Sequence, residues 1–143
     1  MPSSTGILFD ERFLDHDDPG HPENARRLRA ILALLGRTDI LTELTAIEGR
    51  AASDGEIMAV HRRALMEQLQ ILAYEGGGSI DGDTYVTSDS WAVVTLAAGA
   101  VLRATEAVVQ GEVANAFALV RPPGHHATPS RAMGFCLINH VAI

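Results

Sequence analysis

Apolar residues fall along this chain in short continuous runs and in helical spacing, and the two alternate. Ile7-Leu8-Phe9 is a run bounded by polar residues and predicts a short buried strand. A polar loop follows from Asp15 to His21. Leu28, Ile31, Leu32 and Leu35 then stand at i, i+3, i+4 and i+7, which predicts a helix with one apolar face. Pro22 and Glu23 suit its first turn, because proline has no amide proton to leave unpaired and an acid complements the helix dipole; Gly36 and Arg37 end it. Leu44 to Ile47 predicts a second strand. Ser53-Asp54-Gly55-Glu56 has the spacing of a capping box and predicts a helix that carries Ile57 and Val60 inward. Leu65 to Tyr74 predicts another, ending at Gly76-Gly77-Gly78, which lacks the Lys-Ser/Thr of a phosphate loop and reads as a flexible connection.

Ser90 to Gln110 is the longest predicted helix. Thr95, Gly99, Arg103, Glu106 and Gln110 share one narrow stripe and nearly everything else is apolar, so most of its circumference should be buried. Ala116 to Val120 reads as a strand buried on both faces. Strands alternating with helices imply an α/β fold with a central parallel sheet flanked by helices. There is no internal repeat, low-complexity tract or domain boundary, so residues 1–143 read as belonging to a single domain.

Composition narrows the classes. With 143 residues, 47% hydrophobic and 20% charged, the chain can bury a core. A net charge of −7 argues against general binding to nucleic acid or to anionic membranes, both of which need clustered Lys and Arg. Cys136 is the only cysteine, so no intramolecular disulfide can form. The start, Met1 to Gly6, lacks a basic segment followed by an apolar one, and Trp91 to Leu102 is too short and interrupted to span a bilayer. A cytoplasmic protein is the expectation. The last residues, Val141-Ala142-Ile143, open an apolar run without a polar tail, and predict that the domain continues past this point.

The chemistry concentrates in Arg121-Pro122-Pro123-Gly124-His125-His126-Ala127, directly after the last strand. Ligands of open α/β sheets bind beyond the carboxyl ends of the strands, where this loop lies. Pro122 and Pro123 hold the chain extended, and Gly124 allows a sharp change of direction. Adjacent side chains of a regular strand point to opposite faces, so His125 and His126 converge only if the backbone is irregular. Two imidazoles can work as general base and charge stabiliser, can bind metal, or can simply be polar residues of a solvated loop.

The run RPPGHHA, with GFCLINHVAI from Gly134 onward, resembles the signature of zinc-dependent deacetylases of the histone deacetylase superfamily, which includes acetylpolyamine amidohydrolases and acetoin-utilisation proteins. The resemblance extends through HPENARRL at His21 to Leu28, Ala59-Val60-His61, and Asp83-Thr84-Tyr85-Val86, an element closer to class II-like and bacterial members. It implies an arginase/deacetylase-like three-layer fold, incomplete here. It also implies hydrolysis of the acetyl amide of acetyl-lysine or an acetylated polyamine. By the resemblance, His126 is general base and acid and His125 is mainly electrostatic. Gly134 and Phe135 line the acyl-lysine tunnel, Asp83 is a rim aspartate that accepts hydrogen bonds from substrate backbone, and His21 and Pro22 form an entrance loop. Cys136 would lie near the site, as a small buried hydrophobe or a redox group. His16 and His61 are expected to be solvated or locally hydrogen-bonded. His140 and Ile138 occupy positions that vary among relatives.

The resemblance implies further that zinc is held by two aspartates and a histidine downstream of the GFC segment, as are the transition-state tyrosine or histidine and the carboxylates that orient the paired histidines. Asp81 and Asp83 alone are a weak cation signal. The chain by itself is therefore expected to hold no catalytic zinc and to be inactive, with exposed strand edges. The alternatives are a non-catalytic module that binds an acylated ligand, and a free-standing scaffold.

Overall fold

The structure is a computed structural model that describes residues 3–143. Met1 and Pro2, the first residues of the stretch read against a leader, lie outside the described residues. Strand β1 (Thr5–Leu8) is the centre of a three-stranded sheet, with β2 (Leu44–Ala46) on one side and β5 (Asn115–Ala118) on the other. Both pairings are parallel, Thr5 standing opposite Leu44 and Asn115. The predicted parallel α/β sheet flanked by helices is therefore present.

Helix α1 (Ala25–Leu35) begins later than its pattern suggests. Asn24 is the N-cap, and its side chain accepts the Arg26 amide at 3.0 Å. Pro22 and Glu23 thus precede the helix. Of the predicted apolar face only Leu28 is buried, while Ile31 is 44% exposed. The short helix α2 (Ile40–Glu43) leads into β2. Helix α3 (Asp54–Met58) opens with the expected capping box: Ser53 Oγ accepts the Glu56 amide, and the Glu56 carboxylate accepts that of Ser53. Ile57 is fully buried and Val60 only partly.

Helix α4 (Arg63–Tyr74) ends at the glycine triplet, which is not a loose connection. Residues Gly77–Ser79 form β3, paired antiparallel with β4 (Tyr85–Thr87). A Cβ at Gly77 would sit 2.4 Å from the Val86 carbonyl oxygen, so the ladder itself requires the missing side chain.

Helix α5 (Ser90–Val109) separates two apolar cores. Val94 and Ala98 face Ile57, Leu65, Leu69 and Leu137, whereas Val93, Leu96, Ala97 and Ala100 face Leu8, Phe13, Leu28 and Leu119. Its 20 residues are long and apolar enough by length and composition to cross a membrane, more than the Trp91–Leu102 segment suggests. Packing on two sides accounts for that composition. The predicted stripe is a docking track rather than a solvated face. A Cβ at Gly99 would lie 2.0 Å from the Arg50 carbonyl, Ala52 donates its amide to Thr95 O at 2.8 Å, and Arg50 bridges Glu56 and Glu106.

Strand β5 corrects a further expectation. Phe117 is 57% exposed and Asn115 is exposed, so the strand is not buried on both faces. Among the described residues it pairs with β1 alone, and its other edge is open.

Candidate active site

Beyond the carboxyl end of β5 the chain enters Arg121, and the site is built around that side chain. Arg121 is 3% exposed and forms a double hydrogen bond with Glu23, itself 2% exposed: Nε to Oε1 at 3.2 Å and Nη2 to Oε2 at 2.8 Å. Its Nη1 donates to the carbonyls of Phe13 (2.9 Å) and His16. Tyr85 donates its hydroxyl to Glu23 O at 3.0 Å and stacks on His16 with ring centroids 4.4 Å apart. Burial, reinforced by the nearby Arg121 charge, lowers the His16 pKa to about 3, so this imidazole is neutral. The ion pair thus sews residues 13–23 to the loop that carries the paired histidines.

Four residues later that loop turns. Ala127 donates its amide to Gly124 O at 3.1 Å, and His125 and His126 occupy the middle of the turn. This is the irregular backbone their convergence needs, and the two ring centroids lie 4.3 Å apart. Gly124 serves it differently from the expectation. Its φ is not left-handed; a Cβ there would lie 2.6 Å from Ile138 O and 2.8 Å from His140 N. Close packing, not unusual backbone angles, excludes other residues. Gly134 does have positive φ, +59°, and a Cβ on it would meet the His126 ring at 2.9 Å. The glycine lets the GFC segment pass directly beneath that imidazole.

Asp83, His125, His126, Gly134 and Phe135 line one cavity of about 530 Å³, with Pro22, Glu23, Arg27 and Pro123 completing it. All five residues singled out in the sequence are therefore brought together, from segments up to 52 positions apart. Both histidines are exposed on the cavity wall, Phe135 is half-buried, and Asp83 stands at the rim. Cys136 lies under the site. Its thiol is fully buried, accepts the His126 amide at 3.4 Å and contacts Gly134 O, and burial pushes its pKa up, which disfavours the reactive thiolate. Of its two readings, the small buried hydrophobe fits.

Of the two readings of His16 and His61, solvated or locally hydrogen-bonded, the solvated one fails: both are buried, and His16 Nδ1 lies 2.6 Å from Ser90 Oγ. His61 Nε2 accepts the Asn139 amide at 2.8 Å, and His140, also buried, contacts Pro122 O through Nε2 at 3.2 Å. Desolvation lowers the pKa of both. They brace the segments on either side of the paired histidines. Glu23 and Arg121 carry no such signal in the sequence, since 98 positions separate them. The one hint is an arginine placed between a buried strand and two prolines.

Among the described residues no group of three or more His, Cys, Asp or Glu is placed to hold a metal ion. Asp81 and Asp83 do not form a cation cage: Asp83 donates its amide to the Asp81 carboxylate, the main influence that lowers the Asp81 pKa. The donor set of the described residues does not fit a catalytic zinc.

Residues 21–143 match the histone deacetylase domain. The chain is 43% identical over 129 residues to a probable deacetylase of Methanothermobacter thermautotrophicus, covering 90% of this chain and 38% of that protein. It is 38% identical over 122 residues to a histone deacetylase-like amidohydrolase of Pseudomonas aeruginosa, covering 85% and 31%. The crystal structure of the HDA15 HD domain superposes with a TM-score of 0.93 at 37% identity, over 98% of this chain and 41% of that one. The chain thus spans well under half the length of these relatives.

Proposed function

The chain belongs to the histone deacetylase domain family, and from that premise we propose that its cavity receives an acetylated amine, acetyl-lysine or an acetylated polyamine, as the histidine-bearing part of a deacetylase site. The observation that carries this reading is the convergence of His125, His126, Gly134, Phe135 and Asp83 on one cavity. The half-buried Phe135 ring offers an apolar face to a methylene chain, and the Asp83 carboxylate at the rim accepts N–H donors from the substrate.

In this reading the acyl group lies against the paired imidazoles. His126 takes a proton from the attacking water as its oxygen bonds to the carbonyl carbon. His125 donates a hydrogen bond to the negative charge that develops on the carbonyl oxygen. His126 then returns the proton to the amine nitrogen as the C–N bond breaks, leaving acetate and free amine. Gly134 permits this by leaving room for the His126 ring.

The parent protein is proposed to be zinc-dependent, as the family resemblance implies. The three-ligand set would come from sequence other than the described residues, which hold no such cluster. Alone, this chain is proposed to bind the acetylated amine without hydrolysing it. The test combines calorimetric binding of an Nε-acetyl-lysine peptide with acetate release in the presence of Zn²⁺. Saturable binding that weakens about tenfold in Phe135→Ala, the worth of roughly two buried methylenes, supports the reading. Acetate release by this chain alone overturns its inactivity, and absence of saturable binding overturns the site assignment.

A further inference from the structure

The rim of the cavity is tied together by a residue that takes no part in the chemistry just described. His21 Nδ1 lies 2.9 Å from the Glu23 amide, and a backbone N–H can only donate. Nδ1 is therefore the acceptor, its 3.2 Å contact with Glu23 O cannot be a hydrogen bond at the same time, and the ring proton sits on Nε2. That proton points at the Asp83 carbonyl, 2.8 Å away. The ring meets Phe135 edge-on, with centroids 4.9 Å apart at 85°, and its centroid lies 4.8 Å from that of the Tyr85 ring.

A third link closes a triangle. Phe135 donates its amide to Thr84 Oγ1 at 3.1 Å, and Thr84 donates that hydroxyl to the Asp83 carboxylate at 3.2 Å. Phe135 has φ +70°, a left-handed conformation that strains a non-glycine residue and persists only where its surroundings over-determine it. His21 and Thr84 are those surroundings. The entrance loop is itself anchored through Glu23 to Arg121, so His21 is held at one end and holds at the other.

We infer that His21 is a positioning residue that fixes the span between Asp83, where the substrate's backbone would dock, and Phe135, where its methylenes would lie, so that the cavity discriminates acetylated amines by chain length. The inference rests on the acetylated-amine reading above and assigns the length selection within it. Removing His21 breaks two of the three sides of the triangle. A one-methylene difference in an ordered apolar site is worth at least about tenfold in affinity, and a loosened rim loses it.

The test compares wild type, His21→Ala and His21→Gln, whose amide nitrogen can reach where Nε2 stands. Affinities are measured for Nα-acetyl-Nε-acetyl-lysine methylamide and for the ornithine analogue, one methylene shorter. Imidazole ¹⁵N shifts and Phe135 ring signals are recorded without ligand. The expected results are a wild-type preference of about tenfold for one probe, its loss in His21→Ala, partial recovery in His21→Gln, which restores the bond to Asp83 O but not the ring contact with Phe135, a neutral Nε2–H tautomer, and a Phe135 ring shifted in both variants. An unchanged preference in His21→Ala overturns the inference. If wild type binds neither probe, the acetylated-amine reading fails. The positioning role is then decided by the spectra: a Phe135 ring unmoved by His21→Ala, or an Nδ1–H tautomer, overturns it.

Discussion

Arg121 and His126 are five positions apart in one loop and live in opposite environments. Arg121 is buried, and its guanidinium has Glu23, two backbone carbonyls and the Tyr85 hydroxyl as partners. His126 is exposed, and its imidazole makes no hydrogen bond among the described residues. The first region confines a full charge pair, at a desolvation cost that its own attraction barely offsets, and what it secures is geometry. The second keeps its ring nitrogens free for a ligand. A site that must present unpaired proton acceptors at a defined place needs both: a saturated network to set position, and an unsaturated surface beside it.

The contrast breaks most severely if the buried pair is cut. Glu23→Ala leaves the Arg121 charge without its counter-ion and is expected to cost about 3–5 kcal/mol, read as a fall in the urea midpoint or as failure to fold. Acid should act on the same network more gradually. Above pH 6.5 His16 is neutral in both folded and unfolded chains. As pH falls below that, the unfolded imidazole takes up a proton that the buried one refuses until about pH 3, so stability is lost across this window. A His16→Phe variant keeps the stacking on Tyr85 and should show a shallower slope of unfolding free energy against pH between those limits.

Gly134→Ala probes the boundary between the two regions. The added methyl meets the His126 ring and forces a side chain onto a left-handed backbone. It should cost about 1–3 kcal/mol in thermal unfolding and displace the His126 resonances. The smallest effect is expected where the proposed chemistry is greatest. His125→Ala with His126→Ala should change stability by no more than about 0.5 kcal/mol, as for exposed side chains generally, while reducing binding of the acetyl-lysine probe. A large loss of stability there would mean that the pair is structural, and the comparison would fail.

Local signals were legible in the chain wherever nearby residues sufficed to state them. The capping box at Ser53, the apolar helix after Ser90 and the turn at His125 and His126 each depend on spacing within a few positions, and the structure contains each of them. The parallel order of the sheet followed from alternating strands and helices. Errors arose where a remote partner decided the outcome. Glu23 reads as a helix-dipole acid from its neighbours, but Arg121 claims it from 98 positions away. The glycine triplet reads as loose until Val86 lies against it, and Phe117 reads as buried until the edge of β5 is seen to be open.

By itself, then, the sequence determined the fold class, the family and the identity of the paired histidines, because periodicity and short motifs are encoded locally in backbone preference and side-chain type. The tertiary structure alone decided which charges are buried, why Gly124 and Gly134 must lack side chains, and that His21 ties Asp83 to Phe135. Those are properties of close approach between distant segments. Burial, tautomer and contact distance come into being only when the segments pack.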